Sequence, residues 1–200
     1  MKLLKAIYCF VSILLIAIFL QGCKQSFTAD ELEKYIQNTN NGTKKSFESG
    51  NFKAEIIYRP TDLMVRQELT SDKKNMDVFK KKYGQYNYFV LSMQNNGSDL
   101  LNSTVHDKSV FSGINEQLSF GLNEHVFVLD ENKDTSYLAD FAFPRLFEAA
   151  KSTSVLLAFK ADAIKTNMFK ICIRDIGYTT GIIEFDFDKE DLKNIPSLKL

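Results

Sequence analysis

Residues Tyr86-Asn87-Tyr88-Phe89-Val90-Leu91-Ser92-Met93 carry apolar side chains at odd and even positions alike. Successive side chains of a strand point to opposite faces, so this stretch has to be covered on both. It reads as an interior strand of a sheet, and Asn95-Asn96-Gly97 is the turn that ends it. Just upstream, Phe52 to Arg59 alternates and reads as a second strand. Pro60 with Thr61 and Asp62 then opens a short helix through Leu69. Ser71-Asp72 can cap another helix that runs through Met76, Phe79 and Tyr83 to Gly84.

Moving outward on the N-terminal side, Thr28-Ala29-Asp30-Glu31 has the spacing of a capping box. Leu32, Tyr35 and Ile36 supply the apolar face of the helix it starts, and Phe27 can staple its first turn. This helix is expected to end near Asn38, before the turn run Asn40-Asn41-Gly42. On the C-terminal side the pattern predicts a helix over Lys108 to Phe120, stopped by Gly121. His125 to Asp130 and Ser136 to Phe143 read as a hairpin around the polar turn Glu131 to Asp134. Pro144 to Ala150 reads as an irregular connection. Val155 to Lys160, Phe169 to Arg174 and Ile182 to Phe187 are further strands, the last two joined through Ile176 to Gly181. Asp188 can cap a final helix through Leu192, after which Pro196 is expected to end order. This arrangement is α+β, with a largely antiparallel sheet and helices concentrated in the N-terminal half. Residues 28–200 read as a single domain.

The first 22 residues are of another kind. Lys2 and Lys5 precede an apolar run from Ala6 to Leu20, which ends in Leu20-Gln21-Gly22-Cys23. A positive start, a short apolar core and a small residue before a cysteine make a secretory signal. The core spans about 15 residues, short of the roughly 20 that a membrane-spanning helix needs. The stretch resembles a bacterial lipoprotein signal peptide, with Gln21 departing from the small residue more usual at its position. The resemblance implies removal of residues 1–22, acylation of Cys23, and residues 23–27 as a lipidated tether. Each buried methylene contributes about 0.8 kcal/mol, so two or three acyl chains hold a protein to a bilayer durably. Lys24 stands after the anchor where inner-membrane lipoproteins of enteric bacteria carry Asp, so the resemblance favours the outer membrane, facing the periplasm. Tyr58 to Val65, Leu138 to Arg145 and Ser152 to Phe159 also resemble stretches of uncharacterised Gram-negative lipoproteins, a group that implies one domain and no particular activity.

Composition narrows the field of partners. Without Lys2 and Lys5 the chain has 23 basic and 25 acidic side chains, a formal charge of −2. That balance lacks the basic excess of a nucleic-acid binder. Cys9 leaves with the signal and Cys23 is taken by lipid, so Cys172 has no internal disulfide partner. It reads as a small strand residue.

Catalytic motifs are sparse. Neither Gly-x-Ser-x-Gly nor the phosphate-cradling Gly-x-x-x-x-Gly-Lys occurs. His125 reads as a packed strand residue and His106 as a solvated one. Asp130-x-Asn132-x-Asp134 copies the first ligands of a calcium loop, but Thr135 replaces its glycine and Phe141 its closing glutamate. A polar hairpin turn explains the same residues. Asp186, Asp188, Glu190 and Asp191 suit the start of a helix. The pattern therefore names no metal ligands, no catalytic residues and no cofactor. Phe141, Phe143, Arg145 and Phe147 form the best candidate interaction patch, with core packing the competing use of Phe141 and Phe143. Together these features point to a non-enzymatic, lipid-anchored module that binds or scaffolds an envelope protein or polymer. The alternatives are an envelope lipoprotein hydrolase with a spatially assembled acidic site, and an inhibitor or immunity-type lipoprotein.

Overall fold

The computed structural model describes residues 26–69, 75–144 and 151–199. The signal segment, Cys23, the Ser71-Asp72 cap, Arg145 and Phe147 lie outside the described residues. Along the chain the elements are β1 (Ser26–Phe27), α1 (Ala29–Gln37), β2 (Lys44–Ser49), β3 (Phe52–Arg59), α2 (Thr61–Glu68), α3 (Met76–Tyr83) and β4 (Tyr86–Asn95). Next come α4 (Lys108–Glu116), a π-helical turn (Gln117–Gly121), α5 (Leu122–His125), β5 (Val126–Asp130), β6 (Thr135–Tyr137), β7 (Asp140–Ala142) and β8 (Thr153–Lys160). The chain closes with β9 (Met168–Ile173), β10 (Ile183–Asp188), α6 (Lys189–Lys193) and β11 (Ser197–Leu198). This is an α+β fold in which the larger sheets are antiparallel.

β4 is interior, as its two apolar faces require. It lies between β3 and β8 in a five-stranded sheet of order β2-β3-β4-β8-β7. Phe89, Leu91 and Met93 point to one side, where they meet the inner face of a second sheet of order β10-β9-β5-β6. Val128, Ile171, Phe185 and Phe187 face them from that sheet. Phe187 stacks on Phe169 at 5.6 Å and meets Phe89 edge-on at 5.3 Å. Burying each such side chain contributes about 1.5–3 kcal/mol, so this shared layer is the main source of stability.

One run of chain pairs with both sheets in succession. Sequence alternation predicts a single strand over Ser136 to Phe143, but the strand is broken into β6 and β7. At the break, Leu138 N–H donates to Val126 O (3.2 Å) and Ala139 N–H donates to Ala158 O (3.0 Å). The run thus pairs first with β5 and then with β8, and turns the corner of the sandwich between them. Alternation along one segment cannot reveal that its partners change.

Local signals account for α1. Thr28 Oγ1 accepts from Glu31 N, and Glu31 Oε2 accepts from Thr28 N at 2.8 Å. Leu32 and Ile36 are buried with Leu63, Ile195 and Leu198, and Phe27 packs beside them. Sequence patterning leaves Lys44 to Ser49 unassigned; β2 is a strand there because β3 offers it an unpaired edge. Two expectations need correction. Gly121 does not stop the helix begun at Lys108; Leu118 and Leu122 are both fully buried, and the chain stays helical through His125 to bury them. Pro196 does not end order. Ser197 and Leu198 pair in parallel with Ser26 and Phe27, and Leu198 N–H donates to Asp62 Oδ2 at 3.2 Å. Ser26 and Phe27, inside the segment assigned to a tether, are therefore part of the fold.

A tyrosine-lined groove as the candidate functional site

The outer face of the five-stranded sheet is set by register. Tyr86, Tyr88 and Val90 of β4 lie across from Lys160, Ala158 and Leu156 of β8. Asp140 and Ala142 of β7 pair with Ala158 and Leu156 in turn. α2 and α3 cover only part of this face, with Met64 and Tyr83 packed against Tyr88 and Ala158. The two alanines are too small to fill the space beyond the helices. A groove of about 500 Å³ results, walled by Met64, Tyr83, Tyr86, Tyr88, Leu156 and Ala158. That volume falls within the usual range for small-ligand sites.

The rings do not lie flat. Tyr83 meets Tyr88 at 5.9 Å and 60°, and Tyr86 meets Tyr88 at 6.1 Å and 50°. The rings are thus held by edge-on and tilted contacts with one another. Tyr83 Oη donates to Glu68 Oε1. Burial, together with the hydrogen bond and charge of Glu68, pushes the Tyr83 phenol up to about 12. Tyr88 is also raised, by burial first and then by Tyr86 and Asp140. Both hydroxyls are neutral at physiological pH, and the Tyr83 O–H is committed to Glu68. Lys82 stands at the rim with its ammonium 5.0 Å from the Tyr83 ring centroid.

Tyr86 also borders a second depression of about 530 Å³, which holds Lys160, Lys165, Asp162 and Ser136. The two hollows meet at that ring. One side is apolar and aromatic, the other polar and carries lysines.

The residues singled out from sequence are scattered. Phe141 and Phe143 are half-buried and pack against the main core, and Phe141 also borders the groove. His106 is exposed. His125 is the last residue of α5; its backbone oxygen accepts from Arg174 N at 2.8 Å, and its buried Nδ1 has no partner among the described residues. Asp130 lies at the far end of β5 from His125. Its Oδ1 accepts from the backbone N–H groups of Asn132 and Asp134, each at 2.9 Å, which is the work of a turn residue. Asp130 shares a hollow of about 270 Å³ with Glu131, Lys133, Lys170 and Asp186. Asp188 Oδ1 caps α6 through Glu190 N at 2.9 Å. No group of three or more His, Cys, Asp or Glu side chains among the described residues is placed to hold a metal ion.

Cys172 is buried on β9, and its thiol is pushed up to about 11, chiefly by burial and then by Glu184. Sequence patterning does not single out the groove. Its signal lies in Tyr86 and Tyr88 on one strand face and Tyr83 one helix away, but the concavity depends on Ala158 and Ala142 being their neighbours.

Compared with known proteins, the chain matches no family model, no curated protein and no solved structure. No helix among the described residues is long and apolar enough to cross a membrane.

Proposed function

We propose that this protein is a lipid-anchored binding module of the bacterial envelope, held through Cys23 on the periplasmic side of the outer membrane. The tyrosine groove is its ligand seat. The observation that carries the binding role is the 500 Å³ groove, built on the rigid sheet and walled by three tyrosines whose hydroxyl ends are polar and whose rings are not. The anchor reading is supported by the lipobox-like Leu20 to Cys23 and by the short spacer between it and the fold. Lys24 and Gln25 alone separate Cys23 from β1. The step from Cys23 to Ser26 reaches about 11 Å at most, which keeps the domain against its membrane.

A hydrolase reading has one observation in its favour. Asp130 is 6 % exposed, its Oδ2 has no partner among the described residues, and Asp186 borders the same hollow. The other oxygen of Asp130 is committed to the turn, and Asp186 lies 3.7 Å from Lys170. The binding reading is preferred because the groove is the larger hollow and is walled by three tyrosines, whereas the acids of the smaller hollow are engaged by the turn and by Lys170.

Two measurements test the proposal. Mass spectrometry of the native N-terminus should find an acylated Cys23, absent from a Cys23→Ser control; an unmodified Cys23 rules the anchor out. A photo-crosslinking residue placed at Tyr83 or Tyr86 in cells should trap an envelope component. If only the exposed control position Val78 yields adducts, the groove is not the seat.

A further inference from the structure

We infer that the tyrosine groove takes a long-chain fatty acid, with its hydrocarbon along Tyr88, Ala158 and Leu156 and its carboxylate at Lys82 and Lys160; this rests on the groove being the ligand seat. Size gives the first argument. The groove is half open, and its volume of about 500 Å³ lies in the range of sites that seat a drug-sized ligand, a size class that includes a long-chain acid.

Charge gives the second argument. Lys80, Lys81 and Lys82 are exposed at the end of α3, and Lys160 is exposed across from Tyr86. No ion pair among the described residues engages any of the four. Two acids stand nearby, and both keep their charge. Asp140 Oδ1 accepts from Phe141 N at 2.8 Å, and Glu68 accepts from Tyr83. Four lysines against two acids leave a positive excess for an anionic head, and the hydrocarbon meets a floor of Met64, Leu156 and Ala158 that offers no side-chain hydrogen bond.

Position gives the third argument. On one flank of α2, Asp62 and Leu63 hold β11 and α1, beside β1, where the anchored end enters the fold. On its other flank Met64 walls the groove. The groove thus lies across α2, a helix about 10–12 Å wide, from β1, which begins three residues after Cys23. A ligand leaving the bilayer has a short path into it.

The test uses the full chain in its own membranes, exposed to a photoreactive diazirine analogue of palmitic acid. Label is expected on peptides that contain Tyr83 to Tyr88 or Leu156 to Ala158, and excess palmitate should compete it away. Ala158→Phe, which fills the groove, should cut labelling by at least about tenfold. Lys82→Glu is on the surface and leaves the fold untouched; it should weaken labelling by about threefold for the acid and not at all for the uncharged methyl ester of the same probe. Label elsewhere, or equal label in Ala158→Phe, overturns the assignment. So does equal labelling by acid and ester, or stronger competition by a lysophospholipid than by palmitate. Cys23 acylation is read from the same digest, so an acylated chain with an unlabelled groove sinks this inference and leaves the anchor standing.

Discussion

The sandwich makes a strong demand on Phe187. It is fully buried, stacks on Phe169 at 5.6 Å, meets Phe89 edge-on at 5.3 Å, and lies 5.6 Å beneath the Lys45 ammonium. Those neighbours come from β9, β4 and β2, so one ring touches both sheets. Replacing a buried Phe by Ala costs about 3–5 kcal/mol, and aromatic pairs add roughly 0.5–1.5 kcal/mol each beyond area. Phe187→Ala is therefore expected at the upper end, about 4–5 kcal/mol. For a domain of this size each kcal/mol lowers Tm by about 2–4 °C, so the fall should be roughly 8–20 °C. Circular dichroism gives Tm, and urea titration should show a lower midpoint with an unchanged slope. Glu184→Ala is the control, because Glu184 sits on the outer face of the same strand, paired with Lys170 at 2.5 Å, and should cost under about 0.5 kcal/mol. If Phe187→Ala lowers Tm by less than roughly 4 °C, the two sheets do not share this core.

Four other expectations can be checked independently. Thr28→Ala should cost about 1 kcal/mol in urea unfolding. Hydrogen bonds from the Thr28 backbone and side chain hold Glu31 below its usual 4.5, so the capping contribution is present above that pH and lost as pH falls through the lowered value; Thr28→Ala, which keeps the backbone donor, should lessen this acid dependence, and Glu31→Gln should abolish it. Gly42→Ala should cost more than about 1 kcal/mol, because φ is 72° and a Cβ would lie 1.9 Å from Asp191 Oδ2; the Asp191→Ala background should recover only the collision. Cys172 should resist alkylation at mildly alkaline pH until the chain is unfolded, as its thiol is pushed up to about 11; mass spectrometry after iodoacetamide, with and without denaturant, reads this directly. Tyr83 should ionise near 12 in an absorbance titration, and Glu68→Gln should bring it down. Because the folded value lies above the ordinary 10.0, the associated stability is intact below pH 10 and lost as pH climbs toward 12.

What sequence alone determined is local. The capping box at Thr28, the strand from Phe52 to Arg59, the two-faced strand at Tyr86 and the turn held by Asp130 each have causes within a few residues, and each formed where those residues put it. Only the tertiary structure decided the rest. β2 is a polar stretch that becomes a strand by pairing with β3, and β11 is ordered past Pro196 by Asp62 and Phe27, which stand far away in the chain. The split of residues 135–142 between two sheets depends on which neighbour each half meets. The groove has the same origin. Tyr83, Tyr86, Ala142 and Ala158 are ordinary residues in four separate elements, and a hollow appears only when strand register sets small side chains beside large ones. Hydrogen-bond pairing and packing act between segments distant in sequence, and no pattern within one segment contains its partner's register.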